Sequence, residues 1–598
     1  MQRLENRSNF IIIFFLSIAV IYIVRLFYIQ VLTDTFLERA KKIAITKITQ
    51  YPIRGNIYDR YGLPLVQNEV AYDILITPKK LDIDTAKFCE LLDVSLQEFL
   101  IRTQKAINYS RVKPSVFESL IKAEDFGRIR EKLYQFKGVS VNDRTVRKYP
   151  FTAAAAVLGY ISKVNKWQMD KDEFYDEDDY VGQSGLESYY ENYLRGKKGF
   201  SYFLRDINGN LIEPYLQGKL NETPNPGKDL HISIDGDLQA YAEFLMQNKR
   251  GSIVAIEPST GEILTMVSAP TYDPNLLVGR KYSKNYKILE SDSNQILFQR
   301  PLKSCQPPGS IIKTMQALIA LQMGVANINT RYSCDRSLVG CHDHPSPLDL
   351  RQSVQHSCNP FYYHLVRSIF NLGKGNANMD DFRFGFDEWE KMARSFGLGN
   401  TLGIDLHGEK DCNVPDVKEY DQIYGKKRWN YRTIYSLSIG QGEFSLTPLQ
   451  MANIAAAIAN KGHYFTPHLV KAIGDSTLNY KKTKKKTLVN PEYFDIVHEG
   501  MQWVIEESGG TARRAKIDSL HYCGKTGTSQ NPHGEDHSIF ICFAPRENPK
   551  IAMAVFVENG GKGGAISAPI ASLLVEKYLY KTIKRMATEE YVLNLKLY

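Results

Sequence analysis

The segment PPGSIIKTMQALIALQMG, residues 307–324, opens with two prolines and a glycine and continues as an apolar run. Neither residue type extends a helix backwards, so the spacing predicts a helix that begins at or near Ser310. Backbone N–H groups at such a terminus point outward and suit a developing oxyanion. Lys313 stands three residues on, on the same helix face, where its amine reaches the Ser310 hydroxyl. Serine is a weak nucleophile and needs a base of this kind. Alone, Ser-x-x-Lys is a weak signal, because an N-capped helix with a surface lysine is spelled the same way.

Two further elements change the weighing. Ser357-Cys358-Asn359 lies downstream, followed by the aromatic-rich PFYYHL. Lys525-Thr526-Gly527-Thr528 comes later, where small residues let a strand edge approach a ligand and two hydroxyls suit a carboxylate. The three elements stand in the order and rough spacing of the penicillin-recognising serine acyltransferases, which pair S-x-x-K with S-D-N and K-T-G.

With these motifs the chain resembles the class B penicillin-binding proteins over nearly its whole length. The R-G-x-I-x-D-R-x-G run at 54–62 and Ser184-Gly185-Leu186-Glu187 resemble that family's pedestal, or dimerisation, domain. Ile439-Gly440-Gln441-Gly442 with Thr447-Pro448-Leu449-Gln450 resembles a transpeptidase-domain motif, and elongation-type members are more similar than division-type ones. Cys358 departs from the residue many relatives carry between Ser and Asn.

The resemblance implies a D,D-transpeptidase that cross-links peptidoglycan and is inhibited by β-lactams. Ser310 is then the acylated nucleophile, and Lys313 the general base, held neutral by burial and by the charge of Lys525. Ser357 relays a proton to the leaving amine, and Asn359 holds Lys313 and the substrate amide. Backbone N–H groups of Ser310 and Thr528 form the oxyanion hole. Lys525, Thr526 and Thr528, with Gly527 between them, bind the terminal carboxylate. The implied partners are stem peptides, lipid-linked nascent glycan and a polytopic glycosyltransferase of the RodA type.

Cys334, Cys341, His342, His344 and Cys358 fall close together in sequence. Thiolates and imidazole at this density suit tetrahedral zinc, with Cys334, Cys341, His344 and Cys358 as the set and His342 as substitute for His344. Such a site would be structural, pinning the loop of Ser357 and Asn359. A Cys334–Cys341 disulfide is the alternative, and it leaves the histidines unexplained.

Residues 9–24 are uncharged, and with the apolar stretch after Arg25 they reach the roughly 20 residues that span a bilayer. No small-x-small cleavage site follows, and a core helix is rarely apolar all round. Arg3 and Arg7 favour a cytoplasmic N-terminus, although Arg39, Lys41, Lys42 and Lys47 lie close on the other side. The expectation is a single-pass inner-membrane anchor with the bulk of the chain periplasmic.

At 598 residues the chain needs more than one domain. Its net charge of +9 suits anionic surfaces without indicating nucleic acid. The lysine run at 481–486 reads as a solvated hairpin tip. Eight cysteines are too few for a disulfide scaffold at this length. The reading is therefore α+β: a cytoplasmic tail at 1–7, a transmembrane helix at 8–31, an elongated α/β pedestal at 32–230, and an antiparallel sheet covered by helices at 231–598.

Other functions are weighed against this one. A β-lactamase or D,D-carboxypeptidase shares all three motifs but needs neither pedestal nor anchor. A membrane β-lactam sensor needs more membrane helices or a cytoplasmic effector. A silent scaffold has no use for an intact Ser310, Lys313 and Lys525.

Overall fold

The computed structural model describes residues 2–32, 44–177, 179–206, 211–426, 428–478 and 483–598. Helix α1 (Gln2–Phe27) runs into one π-helical turn, and Ser8–Gln30 is long and apolar enough to cross a membrane. Its large apolar side chains are exposed rather than packed into a core. Arg39, Lys41 and Lys42, which bear on orientation, lie outside the described residues.

The chain forms two compact units. The first comprises Met1–Arg54, Val70–Arg144 and Arg195–Gly227. In it Ile45–Gln50 pairs antiparallel with Gly199–Arg205, which pairs with Leu211–Pro214. A separate small core is built on Phe88, Phe99, Phe117 and Phe136, whose rings meet edge-on or tilted at 5.1–6.0 Å. Helix Leu96–Tyr109 beside it starts at a capping box, with Ser95 and Glu98 satisfying each other's backbone N–H.

The second unit comprises Gly55–Glu69, Thr145–Leu194 and Lys228–Tyr598. The passage from the first unit to the second at Gly227/Lys228 falls close to the boundary expected at 230/231, but the second unit also takes in 55–69 and 145–194. Ile57–Tyr58 pairs in parallel with Leu230–Ile232, which draws 55–69 into the C-terminal unit. Arg147 and Glu187 form a buried ion pair at 2.7 Å in the same unit. Breaking such a pair strands a charge in the core, at a cost of about 3–5 kcal/mol.

Its centre is a five-stranded antiparallel sheet of β1 (Gly251–Ile256), β2 (Ile263–Ala269), β3 (Cys523–Ser529), β4 (His537–Ala544) and β5 (Ile551–Val557). The order is β2–β1–β5–β4–β3, so β3 is an edge strand. The Pro-Ser-Thr-Gly hairpin expected at 251–269 is the β1–β2 pair. β1, β2 and β5 are buried throughout, so they read as continuous apolar runs rather than alternating ones.

Helices α2 (Lys313–Gln322), α3 (Leu350–His356), α4 (Asn359–Phe370), α5 (Pro448–Ala459), α6 (Phe494–Glu506) and α7 (Ser567–Tyr580) cover the sheet and one another. α5 is buried on every side, and α6 packs on both α3 and β3. Lys484, Lys485 and Lys486 are exposed, as a solvated run requires. Lys485–Lys486 pairs with His463–Tyr464, and Lys481 and Lys482 lie outside the described residues.

Candidate active site

Ser310 does not begin an α-helix directly. It lies in a 3-10 turn, Gly309–Ile312, that feeds into α2. The turn is seated by backbone against backbone. Gly309 has φ +57° and donates its N–H to the Gly440 carbonyl at 2.9 Å. A Cβ on Gly309 would stand 2.4 Å from the Thr528 carbonyl oxygen, and one on Gly440 2.2 Å from the Gly309 oxygen. Only glycine fits either place. Gln441 Nε2 donates to the Thr528 carbonyl at 3.0 Å and completes the junction of 309, 440 and β3.

That bond also orients Thr528. The N–H and C=O of one strand residue point to the same side, so the Thr528 N–H leaves the edge strand toward the Ser310 turn. Ser310 itself is half-buried there.

Lys313 is fully buried, in a helix whose first nine residues are buried on all sides. Its Nζ donates to the Ser357 carbonyl at 2.7 Å, to Asn359 Oδ1 at 2.6 Å and to Ser357 Oγ at 3.3 Å. Ser357 takes the left-handed conformation (φ +53°) at the C-terminus of α3, and this turns its carbonyl to the lysine. Lys525 is also fully buried; its Nζ donates to Ser357 Oγ at 2.9 Å and to the Thr526 carbonyl at 3.0 Å. Ser357 Oγ therefore stands between two amines.

Loss of water pushes Lys313 down to about 8. Burial first, and then repulsion from Lys313, hold Lys525 well below the ordinary lysine value. Burial therefore holds Lys313 toward the neutral form as expected, and it acts on Lys525 as well; in the ligand-free protein Lys313 has the richer set of acceptors.

The sequence motifs thus converge: Ser310, Lys313, Ser357, Asn359 and Lys525–Thr528 line one junction. Thr526 Oγ1 meets Thr511 Oγ1 at 2.8 Å, a contact that no motif announced.

The cysteine cluster adjoins it. Ligand atoms of Cys334, Cys341, His344 and Cys358 all lie within 4.8 Å of one another. His344 Nδ1 bonds the Pro345 carbonyl at 2.7 Å, leaving Nε2 toward Cys341 Sγ at 3.4 Å. Cys341 accepts from the Asn359 N–H at 3.4 Å, and Gly340 O accepts from Asn359 Nδ2 at 2.7 Å. The Asn359 amide is thus shared between Lys313 and the 340 loop, a partner the sequence did not suggest. Donors led by the Cys358 thiol hold Cys341 far below the ordinary thiol range.

Cys334, Cys341 and Cys358 form no disulfide with one another. The disulfide is elsewhere: Cys305 and Cys412, 107 residues apart, are bonded. Cys305 precedes the Ser310 turn. Its neighbour Gln306 pairs backbone to backbone with Leu446, and Asn413, next to Cys412, accepts the N–H of Ser445.

This junction of a serine turn, a lysine pair and an edge strand has a family. Residues 251–576 match the penicillin-binding protein transpeptidase domain, and residues 49–232 match the penicillin-binding protein dimerisation domain. The chain is a penicillin-binding protein. This penicillin-binding protein is 30% identical over 582 residues to Salmonella typhimurium peptidoglycan D,D-transpeptidase MrdA, covering 90% of both chains. Its fold is similar to that of Pseudomonas aeruginosa PBP2 in complex with WCK 5153, with TM-score 0.65 and 27% identity, covering 90% of this chain and 99% of that one. It is also similar to a chain of a peptidoglycan synthase complex that coordinates polymerization and crosslinking, with TM-score 0.72 and 25% identity, covering 97% of this chain and 99% of that one.

Proposed function

We propose that this penicillin-binding protein is a peptidoglycan D,D-transpeptidase of cell elongation, acting through an acyl-enzyme on Ser310. The observation that carries the reading is the buried chain Lys313–Ser357–Lys525 beside a serine turn seated on an edge strand.

Ser310 Oγ attacks the carbonyl carbon between the two terminal D-alanines of a stem peptide. Lys313, in its neutral form, takes the serine proton. The N–H groups of Ser310 and Thr528 receive the oxyanion. Ser357 passes a proton to the departing D-alanine amine and is resupplied from the lysine pair. The amine of a second stem peptide then attacks the acyl carbonyl, gives its proton back through Lys313, and frees Ser310.

The discharged state of Lys525 gives substrate a part in arming the base. The substrate's terminal carboxylate, arriving at Thr526 and Thr528, favours the charged form of Lys525. A charged Lys525 repels the proton on Lys313, and the base becomes free as the substrate docks.

Helix α1 anchors the chain in the cytoplasmic membrane, with the catalytic unit outside. A glycosyltransferase of the RodA type polymerises the glycan that this chain cross-links; the similarity to a chain of a peptidoglycan synthase complex supports that partnership. β-Lactams acylate the same serine.

Cys334, Cys341, His344 and Cys358 would hold one zinc ion. The donor set suits it, and the His344 Nδ1 bond to a carbonyl fixes the tautomer as in many ligating histidines. When bound, the metal supplies structural cross-linking rather than chemistry. His342 is outside that four-atom group.

The reading is tested by labelling membranes with a fluorescent penicillin and mapping the acylated peptide. Label on the peptide of Ser310, lost in Ser310→Ala, supports it. Persistent label on another serine overturns it.

A further inference from the structure

The mechanism above leaves one hydroxyl at the site without a task. Thr511 Oγ1 stands 2.8 Å from Thr526 Oγ1. Thr511 sits in the Glu-Ser-Gly-Gly-Thr-Ala loop, 507–512, between α6 and the strand that carries Thr526.

The loop is held from several sides. Gln355 Nε2 donates to the Ser508 carbonyl at 2.8 Å, His356 Nδ1 bonds the Gly509 carbonyl at 3.2 Å, and the Ala512 N–H bonds the Val504 carbonyl at 2.9 Å. A Cβ on Gly564 would stand 2.1 Å from the Thr511 carbonyl oxygen, so a second backbone segment closes on it. Gln355 and His356 immediately precede Ser357 in α3. The helix that presents Ser357 thus also sets the place of Thr511.

A hydroxyl has one proton to give and two lone pairs that accept. If Thr526 donates to a carboxylate, its oxygen is left to accept from a neighbour. Thr511 is in place to be that neighbour. Without it, the Thr526 proton has no fixed direction before ligand arrives.

We infer that Thr511 is a positioning residue for the substrate carboxylate, donating to Thr526 Oγ1 and thereby committing the Thr526 proton to the ligand. This rests on the reading of Thr526 as a carboxylate donor.

The test compares acylation of the full chain by a penicillin and by the methyl ester of the same penicillin. Thr511→Val is expected to slow acylation by the free acid about tenfold, the scale of one hydrogen bond to a charged group. The loss should fall on binding rather than on the acylation step. The ester should react at the unmodified rate, and Thr511→Ser should restore the acid. Thr526→Val should erase the same discrimination, with Thr511→Val adding nothing further to it. Equal slowing of acid and ester by Thr511→Val means a merely structural loop and overturns the inference. So does retained discrimination in Thr511→Val when Thr526→Val has lost it, and in that case the carboxylate reading survives. Retained discrimination in Thr526→Val sinks the carboxylate reading itself, and the inference with it.

Discussion

Lys525 Nζ donates to Ser357 Oγ at 2.9 Å, in a site where both residues are buried. The hydrogen-bond partners of Lys313 and Lys525 are Ser357, Asn359 and Thr526, with no carboxylate among them. Two buried amines on one hydroxyl with no carboxylate partner are both held below the ordinary lysine value, and only the cysteine cluster beside Lys313 acts in the other direction. The site is therefore tuned by what enters it.

The pH dependence follows from Lys313. Its value of about 8 lies below the ordinary 10.5, and the base acts when neutral. Acylation by penicillin should rise about tenfold per pH unit below that value and level off above it. The same shift acts on stability. Between about 8 and 10.5 the unfolded chain keeps a proton the folded chain has lost, so folding stability rises with pH across that window. Stopped-flow acylation rates and thermal melts at matched pH values check both, and a flat rate profile would remove Lys313 as base.

Lys525→Ala separates two roles. It removes the charge that drives the proton off Lys313 in the complex, and it removes a carboxylate partner. Acylation at neutral pH should fall at least about 100-fold, the scale of general-base effects. Raising the pH should recover the part due to the base and leave the part due to the carboxylate. Full recovery at high pH would mean that Lys525 does not bind substrate.

The Cys305–Cys412 bond should matter to stability more than to chemistry. It closes a long loop around the segment that leads to Ser310, and chain entropy assigns a loop of about 100 residues some 4–5 kcal/mol. Cys305→Ser/Cys412→Ser should melt several degrees lower and still label with penicillin. An unchanged melting temperature would show that the hydrogen bonds of Gln306 and Asn413 hold the segment without it.

What could be read in the sequence was local. Ser310 and Lys313 one helical turn apart, the apolar runs at 251–269, and Cys341 near His344 each show themselves within a short window. What escaped depends on segments far apart in the chain. Gly309 against Gly440, Cys305 with Cys412 and Thr511 with Thr526 are set by the sheet and its covering helices, and no periodicity records them. A neutral Lys313 was expected from its burial; that Lys525 is buried and lowered as well was not legible, because the motif names the lysine and the fold sets its surroundings. The compact units escaped because Ile57–Tyr58 pairs with Leu230–Ile232 and the Ala154 N–H donates to Glu243, contacts between segments far apart in the chain.

The Cys305–Cys412 disulfide governs how a zinc site at Cys334, Cys341, His344 and Cys358 is tested. Reductant damages a disulfide and chelator damages a zinc site, but Cys305–Cys412 makes the whole chain reductant-sensitive. The experiment therefore belongs in the Cys305→Ser/Cys412→Ser background. There, one equivalent of zinc should copurify, and a chelator should lower the melting temperature because metal binding energy appears as folding energy. Cys334→Ser is the informative ligand change, since Cys334 is half-buried and remote in sequence from Ser357 and Asn359. It should lose zinc and melt lower. Acylation should slow secondarily, because Cys341 and Gly340 no longer hold Asn359 against Lys313. Substoichiometric zinc, together with a Cys334–Cys341 bond in non-reduced peptide maps, would refute the site.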